Sequence, residues 1–364
     1  MINKTKIYIF HPYSRVGGAD LSLSRLINNL NPNKYSISFI TLRKPQIKKY
    51  IKKKISIFKI NKKRTIFTIF KVREIVKKDE GKFKKYIFLS NQNFANITSL
   101  ISLIRINWVK LILIERNNPI ELKYSKTIKK IIINSLIKYF YKKADKIIAI
   151  SKELSKDLTR LANKKVLTIY NPSFDRNLYK LSKQKIFFKK RDKIILNIAR
   201  FEKQKNHIML LKAFKKSLEK FNSKLLLIGY GSEHQNILNF IKINRLSKNV
   251  TIIKNNINPF PYYKFADLFV LTSNFEGFGN VLVEAGMFKI PIISTNCKSG
   301  PKEILGNGKF GDLVKIDDHT SLSNLIIKNL KHPDKNKISR MYKSLNRFNI
   351  KDHIKKYEKV FHEI

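Results

Sequence analysis

The sequence holds a single cysteine, Cys297. One thiol makes no intrachain disulfide framework and no cysteine-based zinc site, and the compartment to expect is the cytoplasm. Long apolar runs are missing as well. The uncharged stretch Tyr86–Ile104 carries Asn91, Gln92, Asn93, Asn96, Thr98 and several serines, too polar for a membrane span. The first apolar run, Ile7–Phe10, is too short for the apolar region of a secretory leader and reads as a strand. No Asp-x-Asp pair and no histidine cluster is present, so no bound metal is expected.

Acids are the scarcest class. There are 25 Asp and Glu against 76 Lys and Arg, a net charge of +51. Between Leu21 and Arg73 there is no acid at all. Residues 1–180 hold 41 basic and 10 acidic side chains, and residues 181–364 hold 35 and 15, so the excess is concentrated in the first half. Two explanations compete. Lysine, isoleucine and asparagine dominate, as A/T-rich codons would produce by drift. Alternatively, the charge attracts a polyanion, either anionic lipid or nucleic acid. Basic stretches interleaved with apolar residues, Arg43–Arg64 and Lys123–Lys143, fit an anionic membrane surface. A nucleic-acid partner would call for stacking platforms or an arginine-rich face, and lysine dominates here instead.

Length and pattern set the architecture. A chain of 364 residues with 43 % hydrophobic content suits two packed cores. Strand-like runs at Lys6–Phe10, Tyr35–Leu42, Tyr86–Leu89, Val109–Ile114 and Lys146–Ile150 alternate with helical patterns. The alternation restarts with Lys193–Ile198, Lys224–Ile228, Val250–Ile253, Leu268–Leu271 and Ile290–Ser294. Such alternation predicts α/β domains with parallel sheets. The expected division is residues 1–180 and 181–342, with an amphipathic helix over 343–364 returning to the first domain. Asp20 is the expected N-cap of the first helix.

Three local patterns carry chemistry. In Glu276-Gly277-Phe278-Gly279-Asn280-Val281-Leu282-Val283-Glu284 a loop follows a strand and leads into a helix. It offers backbone N–H groups and two carboxylates able to grip vicinal hydroxyls. Read alone, it is equally an ordinary strand–loop–helix with solvated glutamates. In Asn197-Ile198-Ala199-Arg200-Phe201-Glu202-Lys203-Gln204-Lys205-Asn206-His207, two cations sit beside a helix start, which suits a diphosphate. Read alone, they are surface cations of a lysine-rich protein. Gly229-Tyr230-Gly231 after a buried strand fits either a loop under a nucleotide or a tight turn.

Together with Ala285-Gly286, Pro291-Ile292-Ile293 and Ser299-Gly300-Pro301-Lys302-Glu303-Ile304, these patterns resemble the retaining glycosyltransferases of family 4. The resemblance implies the GT-B fold, two Rossmann-like domains facing across a cleft. It also implies transfer of a hexose or N-acetylhexosamine from a nucleotide-diphosphate sugar to a glycan acceptor, in surface polysaccharide or glycan assembly. By resemblance Glu276, with Phe278, Gly279 and Asn280, holds the transferred sugar, Glu284 holds the ribose, and Arg200 and Lys205 bind the diphosphate. Gly17-Gly18 corresponds to a paired-glycine loop near the donor phosphate, and Gly229 and Gly231 to a glycine-x-glycine loop beside the nucleotide. Ser151 matches a serine that starts a helix. A histidine common in the family after the strand that corresponds to Val109–Ile114 is absent; the chain reads Ile114-Glu115-Arg116-Asn117-Asn118-Pro119. That run resembles branches acting on polyprenyl-diphosphate-linked acetamido sugars, making Glu115 and Arg116 candidates for the acceptor side. His11 reads as packed or loop-exposed. A GT-B epimerase and a basic nucleic-acid-binding protein are the alternative readings.

Overall fold

A computed structural model describes residues 1–12, 17–117, 127–185, 192–254 and 258–364, and gives side-chain positions for these except 127–130. Asn118, Pro119 and the start of the 123–143 stretch lie outside the described side chains. The chain forms two compact units, Met1–Pro172 with Ile350–Ile364, and Ser173–Asn349. The units part eight residues before the expected boundary. The last helix is Ile350–Glu363, since a 3-10 turn at Leu345–Phe348 interrupts the pattern expected to run from 343.

The first unit is a seven-stranded parallel sheet of order β3-β2-β1-β4-β5-β6-β7. Its strands are β1 (Ile2–Phe10), β2 (Tyr35–Thr41), β3 (Ser56–Lys59), β4 (Phe83–Asn91), β5 (Val109–Glu115), β6 (Lys146–Ala149) and β7 (Val166–Thr168). Between them run α1 (Gly18–Asn29), α2 (Ile69–Lys77), α3 (Asn93–Ser102), α4 (Thr127–Phe140) and α5 (Lys152–Ala162). The central strand β1 reads Ile7, Tyr8, Ile9, Phe10 without a polar break because both faces are covered, and all four are fully buried. Asp20 is not the N-cap of α1: that is Gly17, and Asp20 sits at the third helical position with its carboxylate accepting from the Gly17 N–H at 2.9 Å. Ser151 does cap α5, accepting from the Leu154 N–H. The segment Arg43–Arg64 forms a 3-10 turn at Gln46–Tyr50 and the edge strand β3, with no α-helix.

The second unit is a six-stranded parallel sheet of order β10-β9-β8-β11-β12-β13. The strands are β8 (Ile194–Ile198), β9 (Lys224–Gly229), β10 (Val250–Lys254), β11 (Leu268–Leu271), β12 (Ile292–Thr295) and β13 (Asp312–Val314). The helices are α6 (His207–Leu218), α7 (His234–Ile243), α8 (Phe260–Phe265), α9 (Asn280–Met287), α10 (Pro301–Ile304), α11 (His319–Lys331) and α12 (Lys335–Ser344) in this unit, with α13 (Ile350–Glu363) in the first. Strand residues divide between the faces by their period of two. Leu268 and Val270 join the core under α6, α7 and α11. Phe269 points the other way, onto Tyr263 of α8 at 5.6 Å between ring centroids.

Both sheets wind outward from a central strand and then restart on its other side. The restart lies between β1 and β4 in one unit and between β8 and β11 in the other. At such a switch point the loops leave in opposite directions and open a crevice at the carboxyl ends of the strands.

Candidate functional site

The candidate donor residues gather at the switch point of the second unit. Strands β8 and β11 pair only through Ile195–Leu268 and Leu196–Phe269. Beyond that the ladder stops, and the buried Asn197 side chain donates to the Val270 carbonyl at 2.8 Å. The loops that follow are stitched together. Thr272 Oγ1 donates to the Lys205 carbonyl at 3.0 Å, Gln204 Nε2 to the Phe275 carbonyl at 2.7 Å, and the Asn274 N–H to the Gln204 carbonyl at 2.8 Å. Lys205 lies in a 3-10 turn, Lys203–Lys205, just ahead of α6, because Asn206 adopts φ +46° and caps the helix through its side chain.

This arrangement brings Lys205 Nζ onto the carboxylate of Glu276. Glu276 also accepts from Ser273 Oγ at 2.7 Å. Both members of the ion pair are largely covered, so water screens it little. The cation assigned to a phosphate and the carboxylate assigned to a sugar thus neutralise one another. Arg200 projects exposed from the same β8–α6 loop. His207 adds no third charge: burial, then the nearby Lys205, lowers its pKa to about 3, and its ring packs edge-on to Phe201 at 5.0 Å.

The loop Phe275–Gly279 ends at Gly279, which caps α9 with φ +103°, a region costly for any side chain. A helix start leaves its first N–H groups without an intrahelical partner, and α9 starts here. Phe278 is buried and meets Phe348 at 5.3 Å, so its side chain anchors the loop and its backbone is what a ligand can touch. Asn280 Oδ1 accepts from Ser173 Oγ at 2.9 Å. Glu284, one turn into α9 and buried, accepts from the Tyr263 hydroxyl at 3.2 Å. Sequence reasoning missed Ser273, Gln204, Asn197 and Tyr263 as supports. Asn197 and Gln204 stood inside the quoted Asn197–His207 run; Tyr263 left no local signal.

Gly229 and Gly231 are needed for close approach. A Cβ at Gly229 would sit 1.9 Å from the Ala199 carbonyl oxygen, and one at Gly231, where φ is +156°, 2.2 Å from that of Phe201. The two loops are joined there, the Phe201 N–H donating to the Tyr230 carbonyl at 2.7 Å. The glycines therefore seat the loop that carries Arg200. Gly231→Ala should cost about 1–3 kcal/mol, the usual penalty of overpacking, and weaken nucleoside-diphosphate binding with it. Denaturant melts and calorimetry check this; native stability in the variant would show that the loop gives way freely.

In the first unit Gly17 and Gly18 open α1 beside the β1/β4 switch point. His11, at the end of β1, is fully buried, and its Nε2 lies 2.8 Å from Asp20 Oδ1. Asp20 thus holds both His11 and the Gly17 N–H. Glu115 and Arg116, read as acceptor-side candidates, are interior residues. Arg116 donates to Asn91 Oδ1 at 3.0 Å and Asn171 Oδ1 at 2.9 Å. Glu115 accepts from the Tyr141 hydroxyl at 2.8 Å and Asn96 Nδ2 at 3.3 Å. These bonds tie β5 to β4, α3 and the turn after α4, so both side chains support the strand edge from beneath.

Burial pushes the Glu115 carboxyl up to about 7, against the pull of its hydrogen-bond donors. A carboxyl raised on folding binds its proton more tightly in the native state. Its stabilising contribution is full below about 4.5 and lost as pH rises through about 7. The shift corresponds to on the order of 3 kcal/mol. Wild-type stability should therefore fall across that window relative to Glu115→Gln, which cannot titrate. Parallel stability–pH curves for the two proteins would refute the assignment.

Comparison with known proteins bears on the family and the fold. Residues 179–345 match the family model described as glycosyl transferases group 1. The chain is 31 % identical over 300 residues to an uncharacterized glycosyltransferase of Methanocaldococcus jannaschii, covering 74 % of this chain and 71 % of that one. It is 30 % identical over 241 residues to the N-acetylgalactosamine-N,N'-diacetylbacillosaminyl-diphospho-undecaprenol 4-alpha-N-acetylgalactosaminyltransferase of Campylobacter jejuni, covering 65 % of this chain and 64 % of that one. Among solved structures it resembles Anabaena HepE in complex with UDP and glucose, with a TM-score of 0.82 at 17 % identity over 98 % of this chain and 99 % of that one. The fold shared with such enzymes is GT-B.

Proposed function

The chain belongs to the group 1 glycosyltransferases, and from that premise we propose that it transfers a hexose or N-acetylhexosamine, with retention, from a UDP-sugar to a lipid-linked glycan acceptor. The observation that carries the donor assignment is the Lys205–Glu276 pair at the β8/β11 switch point, with Arg200 beside it. Arg200 and Lys205 bind the diphosphate and stabilise the charge that grows on it as the sugar departs. Glu276 is freed from Lys205 as the phosphates arrive, and turns to the sugar hydroxyls. Glu284 takes the ribose. The backbone amides opening α9 take sugar or phosphate oxygens. Two fixed cations at the diphosphate serve in place of a metal.

The acceptor reading draws on the Campylobacter relative, named for transfer of N-acetylgalactosamine to a diphospho-undecaprenol-linked sugar. A peripheral position on the cytoplasmic face of an anionic membrane fits the acid-poor first unit. No described helix is long and apolar enough to cross a membrane. The test is incubation with UDP- and GDP-sugars and a polyprenyl-diphosphate-linked acetamido sugar. The acceptor should gain one sugar with the donor's anomeric configuration, at a rate that EDTA leaves unchanged. No transfer and no hydrolysis from any donor would overturn the donor assignment, and loss of activity with EDTA would overturn its metal-free part.

A further inference from the structure

Apart from Met1 and Ile2 at the start of β1, the exposed large apolar residues described in the first unit lie on the α2–α4 layer, Ile104 and Tyr139 at the far ends of α3 and α4 and the rest towards the starts of the helices. Helices α2, α3 and α4 lie side by side, with α3 between the other two, and the 3-10 turn Thr65–Thr68 that opens α2 also packs on α3. In a parallel α/β unit each helix begins at the carboxyl edge of the strand before it. The N-terminal turns of these three helices therefore lie at the edge that carries Asn91 and Glu115. Those turns expose Ile66, Phe67, Phe70, Phe94, Ile131 and Ile132. Phe70 is 86 % and Phe67 62 % exposed, which is unusual for phenylalanine.

Among the described residues, the charge beside Phe67 and Phe70 is mainly basic. Asn61, Lys62 and Lys63 join Ile66, Phe67 and Phe70 in lining a surface pocket of about 460 Å³. Arg64 and Lys71 are exposed beside them. The nearest acid in sequence, Glu74, is already bound by Lys71 and Lys78. Both basic stretches singled out in the sequence divide between core and surface. Ile47 of the first is buried core; in the second Ile133 and Ile137 are core too, but Ile131 and Ile132 are exposed.

We propose that the N-terminal turns of α2, α3 and α4 form the membrane-docking face. Phe67 and Phe70 enter between the headgroups of an anionic leaflet, and Lys62, Lys63 and Arg64 lie on the lipid phosphates. Exposed aromatics rimmed by cations match an interface that is apolar within and negative at its surface. A second copy of this chain would set cations against cations. The face adjoins the strand edge of the first unit, so a lipid-anchored acceptor would arrive there. This assignment rests on the reading of the enzyme as peripheral to an anionic membrane.

Sedimentation with phosphatidylglycerol-containing and pure phosphatidylcholine vesicles tests it. Wild type should pellet with the anionic vesicles alone, and less as salt rises. The Phe67→Ser/Phe70→Ser variant should bind at least tenfold more weakly, and each of Lys62→Ala, Lys63→Ala and Arg64→Ala about fivefold more weakly. Thermal melting and sugar-nucleotide hydrolysis should stay unchanged, since these side chains support no core. Wild-type binding that the phenylalanine variant retains would overturn the assigned face and leave the membrane reading standing. No wild-type binding, or self-association lost in the phenylalanine variant, would overturn the proposal, and absent binding would remove the membrane reading with it.

Discussion

Glu276→Gln is expected to lower turnover by about a hundredfold to a thousandfold, the range for losing one group that acts in the transition state. The substitution keeps the shape and the hydrogen bond from Ser273, so the protein should stay folded. It removes the charge that holds Lys205. Binding of bare nucleoside diphosphate should therefore not weaken, because Lys205 is left without a competing anion. Glu284→Gln should behave in the opposite way, since its place is at the ribose. It should weaken bare UDP by about tenfold, the worth of a charge-assisted hydrogen bond. Calorimetry with UDP beside steady-state rates separates the two carboxylates. Full activity in Glu276→Gln would remove it from the site.

Arg200→Ala and Lys205→Ala are each expected to weaken nucleoside-diphosphate binding by about tenfold to a hundredfold, from loss of a charge-assisted contact. The two should differ in stability. Arg200 is exposed and its loss should leave the melting curve in place. Lys205 is largely covered with Glu276, so Lys205→Ala strands a buried carboxylate and should destabilise the second unit. Adding Glu276→Gln to Lys205→Ala should restore much of that stability, the mark of a coupled pair. Unchanged affinity for UDP and GDP in both single variants would end the diphosphate assignment.

The first unit calls for a different kind of reading. Glu115 and Arg116 became acceptor-side candidates because their Glu-Arg-Asn run resembles a branch of the family acting on polyprenyl-diphosphate-linked acetamido sugars. The structure covers both and gives them partners on β4, α3 and the segment after β7. A mutation there would disturb the edge of the sheet first and any acceptor second, so loss of activity alone would not identify a contact. Asp20 is similar: it holds His11 and the start of α1 together, and its loss would be felt through both.

Periodicity and short motifs were enough to determine much. The alternation of apolar runs with helical patterns reports local backbone preference and burial on two faces, so the parallel α/β class and both domains were legible from it. Arg200, Lys205, Glu276 and Glu284 came from the family resemblance, since the local patterns taken alone left their roles open. Of the four edge strands, β10 was legible, and β3, β7 and β13 were not. An edge strand pairs on one side only and is covered less, so it carries few apolar residues: β3 reads Ser56-Ile57-Phe58-Lys59. What only the tertiary structure decided are relations across sequence. Lys205 and Glu276 are 71 positions apart, and their contact exists because β8 and β11 are neighbours in the sheet. No local pattern encodes which strands lie side by side, since that depends on how whole layers pack. The same holds for burial of charge and exposure of apolar groups. Arg116 is interior and Phe70 is at the surface, against the preference of each residue type, because neighbours from distant segments cover the one and leave the other bare.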